Sequence, residues 1–201
     1  MAAPTDEHFL AAKHLGRYIR GSTNRGLTYH KREKGEKLLT YAYSDASLMN
    51  SRPISGVVVY LGTPDRETHK NKNAAVIAYT KKEATVTNST MHAELLALDR
   101  AVTACKWVAD LREELGVPQE EAAVIFTDSR VGIRFLQEDG AVPNKQTRHL
   151  RRHFNHIKQA LARGEIKIEF VSSKLNRADM LSKAMDSKDT HEDHSRNMMG
   201  S

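Results

Sequence analysis

Ile54-Ser55-Gly56-Val57-Val58-Val59-Tyr60-Leu61, closed by Gly62-Thr63-Pro64-Asp65, is the stretch on which the fold turns. Its β-branched run is short for a helix and is bounded by turn residues, so it reads as a strand. The Gly-Thr-Pro-Asp turn favours an antiparallel return, and Ala74 to Tyr79 supplies the strand that comes back. Upstream, residues 37–45 read as another strand, ending at Asp45. An antiparallel meander of three strands therefore opens the core.

The pattern then changes. A long helix begins near Asn88-Ser89-Thr90, which are good N-cap types, and runs to Gly116 before Pro118. Ala122–Thr127 is a buried strand, followed by helices over 129–138 and 146–163, a strand over 166–172 and a last helix over 175–185. Three antiparallel strands followed by alternating helix and strand predict an α/β fold, with a mixed five-stranded sheet flanked by helices. Ahead of this core, residues 5–20 have the spacing of an amphipathic helix, with Phe9, Ala12, Leu15 and Ile19 on one face and a stop at Gly21-Ser22. The tail after Asp186 is rich in Ser, Asp, His, Asn and Met, a composition that predicts disorder over 187–201.

A chain of 201 residues is expected to hold one domain with appendages or at most two small domains. The single cysteine, Cys105, allows no internal disulfide and sits in a helical, apolar context that suits packing better than nucleophilic chemistry. No run approaches the length of a membrane span, and the first residues lack the apolar core of a signal peptide. These features lead to the expectation of an intracellular, cytoplasmic protein with no membrane partner, the nucleus being the alternative site. The net charge is +6, and much of the excess is local. Between residues 141 and 185, Lys145, Arg148, Arg151, Arg152, Lys158, Arg163, Lys167, Lys174, Arg177 and Lys183 face only Glu165, Glu169 and Asp179. Such a segment is either a solvated helix face or a surface for phosphates.

Four acids carry the chemistry: Asp45 in Tyr-Ser-Asp-Ala-Ser, Glu94 in Met-His-Ala-Glu-Leu-Leu, Asp128 in Ile-Phe-Thr-Asp-Ser and Asp179 in Asn-Arg-Ala-Asp-Met-Leu-Ser-Lys. Two close apolar strands and two lie in helical sequence. A carboxylate at the end of a buried strand is costly to desolvate without a positive neighbour. Several of them converging there suit hard divalent cations, which take oxygen ligands. Two such ions about 4 Å apart can clamp the attacking and leaving oxygens of a phosphodiester.

The order Asp, Glu, Asp, Asp and the words around each residue resemble the ribonuclease H domain of copia-type LTR retrotransposon Pol polyproteins. The resemblance rests on Ser44-Asp45-Ala46, Ser89-Thr90 with Ala93-Glu94, Thr127-Asp128-Ser129, Arg148-His149-Leu150-Arg151-Arg152-His153-Phe154, the strand Gly164 to Val171, and Ala178-Asp179-Met180-Leu181-Ser182-Lys183. It covers about residues 8 to 186. It implies a ribonuclease H-like fold over 37–186, preceded over 1–36 by the end of the reverse transcriptase connection. It further implies a metal-dependent endonuclease acting on the RNA strand of RNA/DNA hybrids, with a reverse transcriptase domain as partner in cis or in trans. For an active element the location would be a virus-like particle. The alternative is an inactive module that binds nucleic acid or acts as a scaffold.

On this resemblance Asp45, Glu94, Asp128 and Asp179 hold two Mg²⁺ ions, with Mn²⁺ as the alternative ion. His149 and His153 are candidates for proton transfer or substrate contact. Ser47, Ser89, Thr90, Asn88 and Ser129, together with Arg148, Arg151, Arg152 and Lys174, are candidates for contacts with the nucleic-acid backbone. Ser44 and Thr127 flank the aspartates as well. His92 stands where many relatives have a second acid, and Ala184-Met185 replaces a frequent Pro-Leu.

Overall fold

The computed structural model describes residues 3–49, 51–87, 89–137, 148–185 and 187–200. Five strands make one sheet: β1 (Leu39–Met49), β2 (Arg52–Gly62), β3 (Ile77–Lys82), β4 (Ala123–Thr127) and β5 (Ile166–Phe170), in the order β3-β2-β1-β4-β5. β1, β2 and β3 pair antiparallel, whereas β4 joins β1 and β5 joins β4 in parallel. The predicted mixed sheet is the one observed. No helix among the described residues is long and apolar enough to cross a membrane.

Alternation along the strands builds two cores. Ala42, Val57, Val59, Ala123 and Ile125 face α2 (Thr90–Glu114) and α4 (Arg148–Ala162), whose Leu95, Leu98, Val102, Phe154 and Ile157 cover that side. Tyr41, Tyr43, Val58, Tyr60, Val124 and Phe126 face the other way, under Ala75, Val171, Ala178 and Leu181. With both faces covered, the central strands carry no polar side, which is why Val57-Val58-Val59-Tyr60 is an unbroken apolar run. Cys105 is buried on α2, as its apolar context suggests. α3 (Arg130–Gln137) follows β4.

Several boundaries differ from the sequence reading. β1 does not end at Asp45; it continues to Met49 because β2 starts at Arg52 and pairs with it throughout, Asp45 lying opposite Gly56. β3 begins at Ile77 rather than Ala74. The Ala74 amide is instead bonded to the Thr28 carbonyl and the Ala75 amide to Met198, each at 2.8 Å. The expected helix over 175–185 breaks into a 3₁₀ turn at Ser173–Leu175 and a single turn, α5 (Asp179–Ser182). Buried Asn176 enforces the break. Its amide donates to the Ser44 carbonyl at 3.0 Å, and its side-chain oxygen accepts from the Ala178 amide.

The largest departure is the tail, which was expected to be disordered. Residues 188–199 form α6 (Lys188–Met199), capped by Ser187, whose hydroxyl accepts from the Thr190 amide, and by Gly200 at φ 74°. Its anchor is Arg177, which is buried and therefore not part of any basic surface. The guanidinium donates to the carbonyls of Thr68 and His69 and to Asp193 of α6 at 2.6 Å. A low-hydrophobicity segment folds here because its buried residues, His194, Ser195 and Asn197, are polar, and Ser195 accepts from Arg25 while Asn197 accepts from the Asn71 amide at 3.0 Å and donates to the Asp193 carbonyl.

α1 (Asp6–Gly21) forms as its spacing predicts, with Thr5 and His8 making a capping box. None of its residues is buried, and Phe9, Leu15 and Ile19 remain about 60% exposed. Beyond it, Thr28 donates to Met199 at 2.9 Å and Tyr29 donates its hydroxyl to the Ala75 carbonyl, so the first extended segment lies against both the β2–β3 connection and α6.

Candidate metal centre

Pairing of β1 with β4 covers Tyr41–Tyr43 against Val124–Phe126. Asp45 stands just past this parallel pairing, and Asp128 one residue past the end of β4. Parallel neighbours end on the same side, so both acids emerge at one edge of the sheet. They also share a face. Asp45 has the parity of Tyr41 and Tyr43, and Asp128 that of Val124 and Phe126.

That face carries α5, and Gly56 lets it approach. A Cβ on Gly56 would lie 2.7 Å from the Ala178 carbonyl oxygen and 2.9 Å from the Leu181 Cβ. With no side chain in the way, α5 rests on β2 directly opposite Asp45, and Asp179 at its first position joins the cluster. One carboxylate oxygen from each of Asp45, Asp128 and Asp179 falls within 4.8 Å of the others.

Glu94 comes from the opposite face. It lies early in α2, whose start is fixed by Ser89, a side-chain cap for the His92 amide at 3.3 Å. Its Oε2 is buried and has no hydrogen-bond partner among the described residues. Burial pushes the Glu94 carboxyl up to about 8, and the charges of Asp45, Asp128 and Asp179 add to the push. The group of oxygens within 4.8 Å comprises the three aspartates; Glu94 is not among them, though their charges reach it. Burial likewise pushes Asp45 up to about 7; the Ser182 hydroxyl and Lys183 ammonium oppose this, while Asp179 and Asp128 reinforce it.

Raised carboxyls in a tight group mean more negative charge than the protein itself neutralises. The nearest positive group is Lys183, with Nζ 2.9 Å from Asp179 Oδ1 and 4.0 Å from Asp45 Oδ2. One ammonium faces four acids. The donor set is all oxygen and excess in charge, so it fits a hard divalent cation. Hydroxyls orient the carboxylates: Ser182 donates to Asp45 and Ser173 to Asp128, while Ser47 donates to the Ser182 carbonyl at 2.5 Å.

The raised carboxyls set a pH dependence. A carboxyl whose folded-state pKa exceeds its unfolded value contributes stability that is full at low pH and lost as pH rises through the folded value. For Asp45 and Glu94 the loss extends through about 7 and about 8. Above pH 7 the buried histidines His69 and His194, whose pKa values burial lowers, stay neutral and do not interfere. In EDTA, stability should fall by on the order of 1 kcal/mol between pH 7 and 9. Thermal melts should show the fall removed by Mg²⁺ and reduced in Glu94→Gln; a flat profile in EDTA would contradict this electrostatic picture.

Other expected site residues distribute unevenly. His153 is engaged elsewhere: its Nδ1 lies 2.7 Å from Asp99 Oδ2, and His156 Nδ1 lies 2.6 Å from Asp99 Oδ1. The pair ties α4 to α2, and although burial raises the Asp99 carboxyl, these hydrogen bonds hold it below its ordinary value. Asn88 and the side chains of Arg148 and His149 lie outside the described residues. Ser129 caps α3, its hydroxyl accepting from the Gly132 amide at 3.1 Å. Ser89 and Thr90 are exposed at the start of α2, and Arg151, Arg152 and Lys174 are exposed. Ser173, Asn176, Ser182 and Lys183 were not singled out from sequence, although Ser182 and Lys183 belong to the word that carries Asp179.

The chain is 28% identical over 189 residues to the retrovirus-related Pol polyprotein from transposon RE1 of Arabidopsis thaliana, which covers 92% of this chain and 12% of that protein. It is 26% identical over 186 residues to the corresponding polyprotein from transposon TNT 1-94 of Nicotiana tabacum, covering 90% and 13%. The chain thus spans about an eighth of the length of these curated relatives. No protein-family model matches. Among solved structures, LC11-RNase H1, isolated from compost by a metagenomic approach, superposes with a TM-score of 0.52 at 19% identity, over 72% of this chain and 93% of that one. The chain is similar over most of its length to a segment of transposon Pol polyproteins and carries the ribonuclease H fold.

Proposed function

We propose that the chain is a metal-dependent endonuclease that hydrolyses the RNA strand of RNA/DNA hybrids. The observation that carries this reading is the meeting of Asp45, Asp128 and Asp179, from three separate elements, within 4.8 Å, with the Glu94 carboxyl raised chiefly by burial and further by their charges. The relatives supply the substrate class. A retrovirus-related transposon copies RNA into DNA and leaves a hybrid whose RNA must be removed. A reverse transcriptase domain, in cis or in trans, is the natural partner.

Asp45, Glu94, Asp128 and Asp179 would hold two Mg²⁺ ions. When bound, these ions activate the attacking water and stabilise the leaving 3′-oxygen. The residues of the chain do the rest. Ser182 and Ser173 fix the rotamers of Asp45 and Asp128, so that the donor oxygens are set before substrate arrives. Exposed Arg151, Arg152 and Lys174 offer charge to backbone phosphates, which makes affinity salt-dependent and indifferent to sequence. Hybrids are distinguished by helix shape and 2′-hydroxyl contacts. The products carry 5′-phosphate and 3′-hydroxyl ends.

The test is incubation of the full chain with a hybrid labelled on its RNA strand, in Mg²⁺ and in EDTA, beside duplex RNA and duplex DNA. RNA-strand cuts with 5′-phosphate ends, confined to the hybrid and lost in EDTA, are expected. Cleavage of duplex DNA but not hybrid would overturn the reading. Salt-sensitive hybrid binding without cuts would favour an inactive binding module.

A further inference from the structure

We propose that Lys183 is a resident counter-ion of the carboxylate group, which a divalent cation displaces toward a neighbouring cavity where substrate phosphate is met. The inference rests on the proposed reading of the centre as a metal site. Two observations carry it. The first is placement: Nζ lies 2.9 Å from Asp179 and 4.0 Å from Asp45, so the ammonium shares the oxygens that a metal would need. A cation cannot take both carboxylates while the ammonium stays, since like charges at contact distance repel strongly in a half-buried site.

The second observation is that the ammonium has somewhere to go. Lys183 lines a cavity of about 740 Å³ between the 3₁₀ turn, α5 and the first turns of α6, with Ser173, Lys174, Asp179, Thr190 and His194 among its walls. Of the acids there, Asp193 is occupied by Arg177 at 2.6 Å, and Asp189 lines the cavity with no ion pair among the described residues. Lys174 lines the same cavity, is exposed and makes no ion pair among the described residues. Moved off Asp179, Lys183 would join Lys174 as a pair of cations immediately beside the centre. Metal loading would then prepare a place for a phosphate of the strand being cut. Lys183 is thus a positioning residue, coupling the ion to the substrate.

The signature is a pair of effects with opposite signs. Mg²⁺ binding to Lys183→Met, measured by calorimetry in the absence of nucleic acid, should be tighter than wild type by about three- to ten-fold, because the competing charge is gone. Hybrid binding in Ca²⁺ should be weaker by about three-fold, with a shallower salt dependence. Lys183→Arg keeps the charge and should restore both toward wild type. A purely structural role would weaken Mg²⁺ binding together with the melting temperature, and unchanged or weaker Mg²⁺ binding in Lys183→Met overturns the inference. If wild type binds Mg²⁺ and only the variant pattern fails, the metal-centre reading stands. If wild type binds none, both fall.

Discussion

Asp45→Asn eliminates cleavage of the RNA strand while the chain stays folded. Asp45 is 2% exposed and has a carboxylate oxygen within 4.8 Å of one from each of Asp128 and Asp179, so it would be one of the residues that hold the cation. The amide keeps the volume and an oxygen for the Ser182 hydroxyl, but loses the charge that binds the cation. A loss on the order of 10³-fold or more is expected, about 4 kcal/mol of transition-state stabilisation. Folding should not suffer. With the Asp45 carboxyl pushed up to about 7, its ionised form opposes folding at pH 8 in EDTA, and the neutral amide removes that penalty. A melting temperature in EDTA equal to or above wild type, with cleavage absent on a gel, is the expected pair of results. Cleavage at the wild-type rate would show that the centre lies elsewhere.

Arg177→Met should be the most damaging substitution for stability. The guanidinium is 1% exposed and holds two backbone carbonyls of the β2–β3 connection together with Asp193 of α6. Methionine fills much of the space but leaves the carbonyls of Thr68 and His69 buried without donors. A loss of about 3 kcal/mol is expected in urea unfolding. Asp193→Asn should cost far less, because the Asp193 side chain is half exposed and the carbonyl bonds remain. Hydrogen exchange should locate the damage, with amides of α6 losing protection before those of β1 and β4. A stability within 0.5 kcal/mol of wild type would mean that α6 is held by something other than this residue.

The sheet was legible because its strands are apolar runs separated by turn residues, and each acid stood in a short local word of sequence. The extension of β1 past Asp45 was not, since it depends on where β2 begins on the other side of the turn. Sequence periodicity joined residues 175–185 into one helix; the break at Asn176 comes from a contact with Ser44, 132 residues away. α6 escaped notice for a different reason. Its buried side chains are polar, so hydrophobic spacing is silent, although Ser187 and Gly200 mark its two ends in the sequence. His153 has the spacing of a helix face, but its partner Asp99 is a tertiary fact.

The anchoring of α6 bears on when the centre can exist during synthesis. Asp45 precedes Asp179 by 134 residues, and it precedes the Asp193 that steadies Arg177 by 148. Contacts between such distant positions must await most of the chain. A nascent chain that has completed β1 to β4 carries Asp45, Glu94 and Asp128, but lacks the turn of helix that Gly56 admits and the clamp that holds it. The last acid is added to a scaffold already built, and a chain cut short of Asp179 cannot assemble the full constellation.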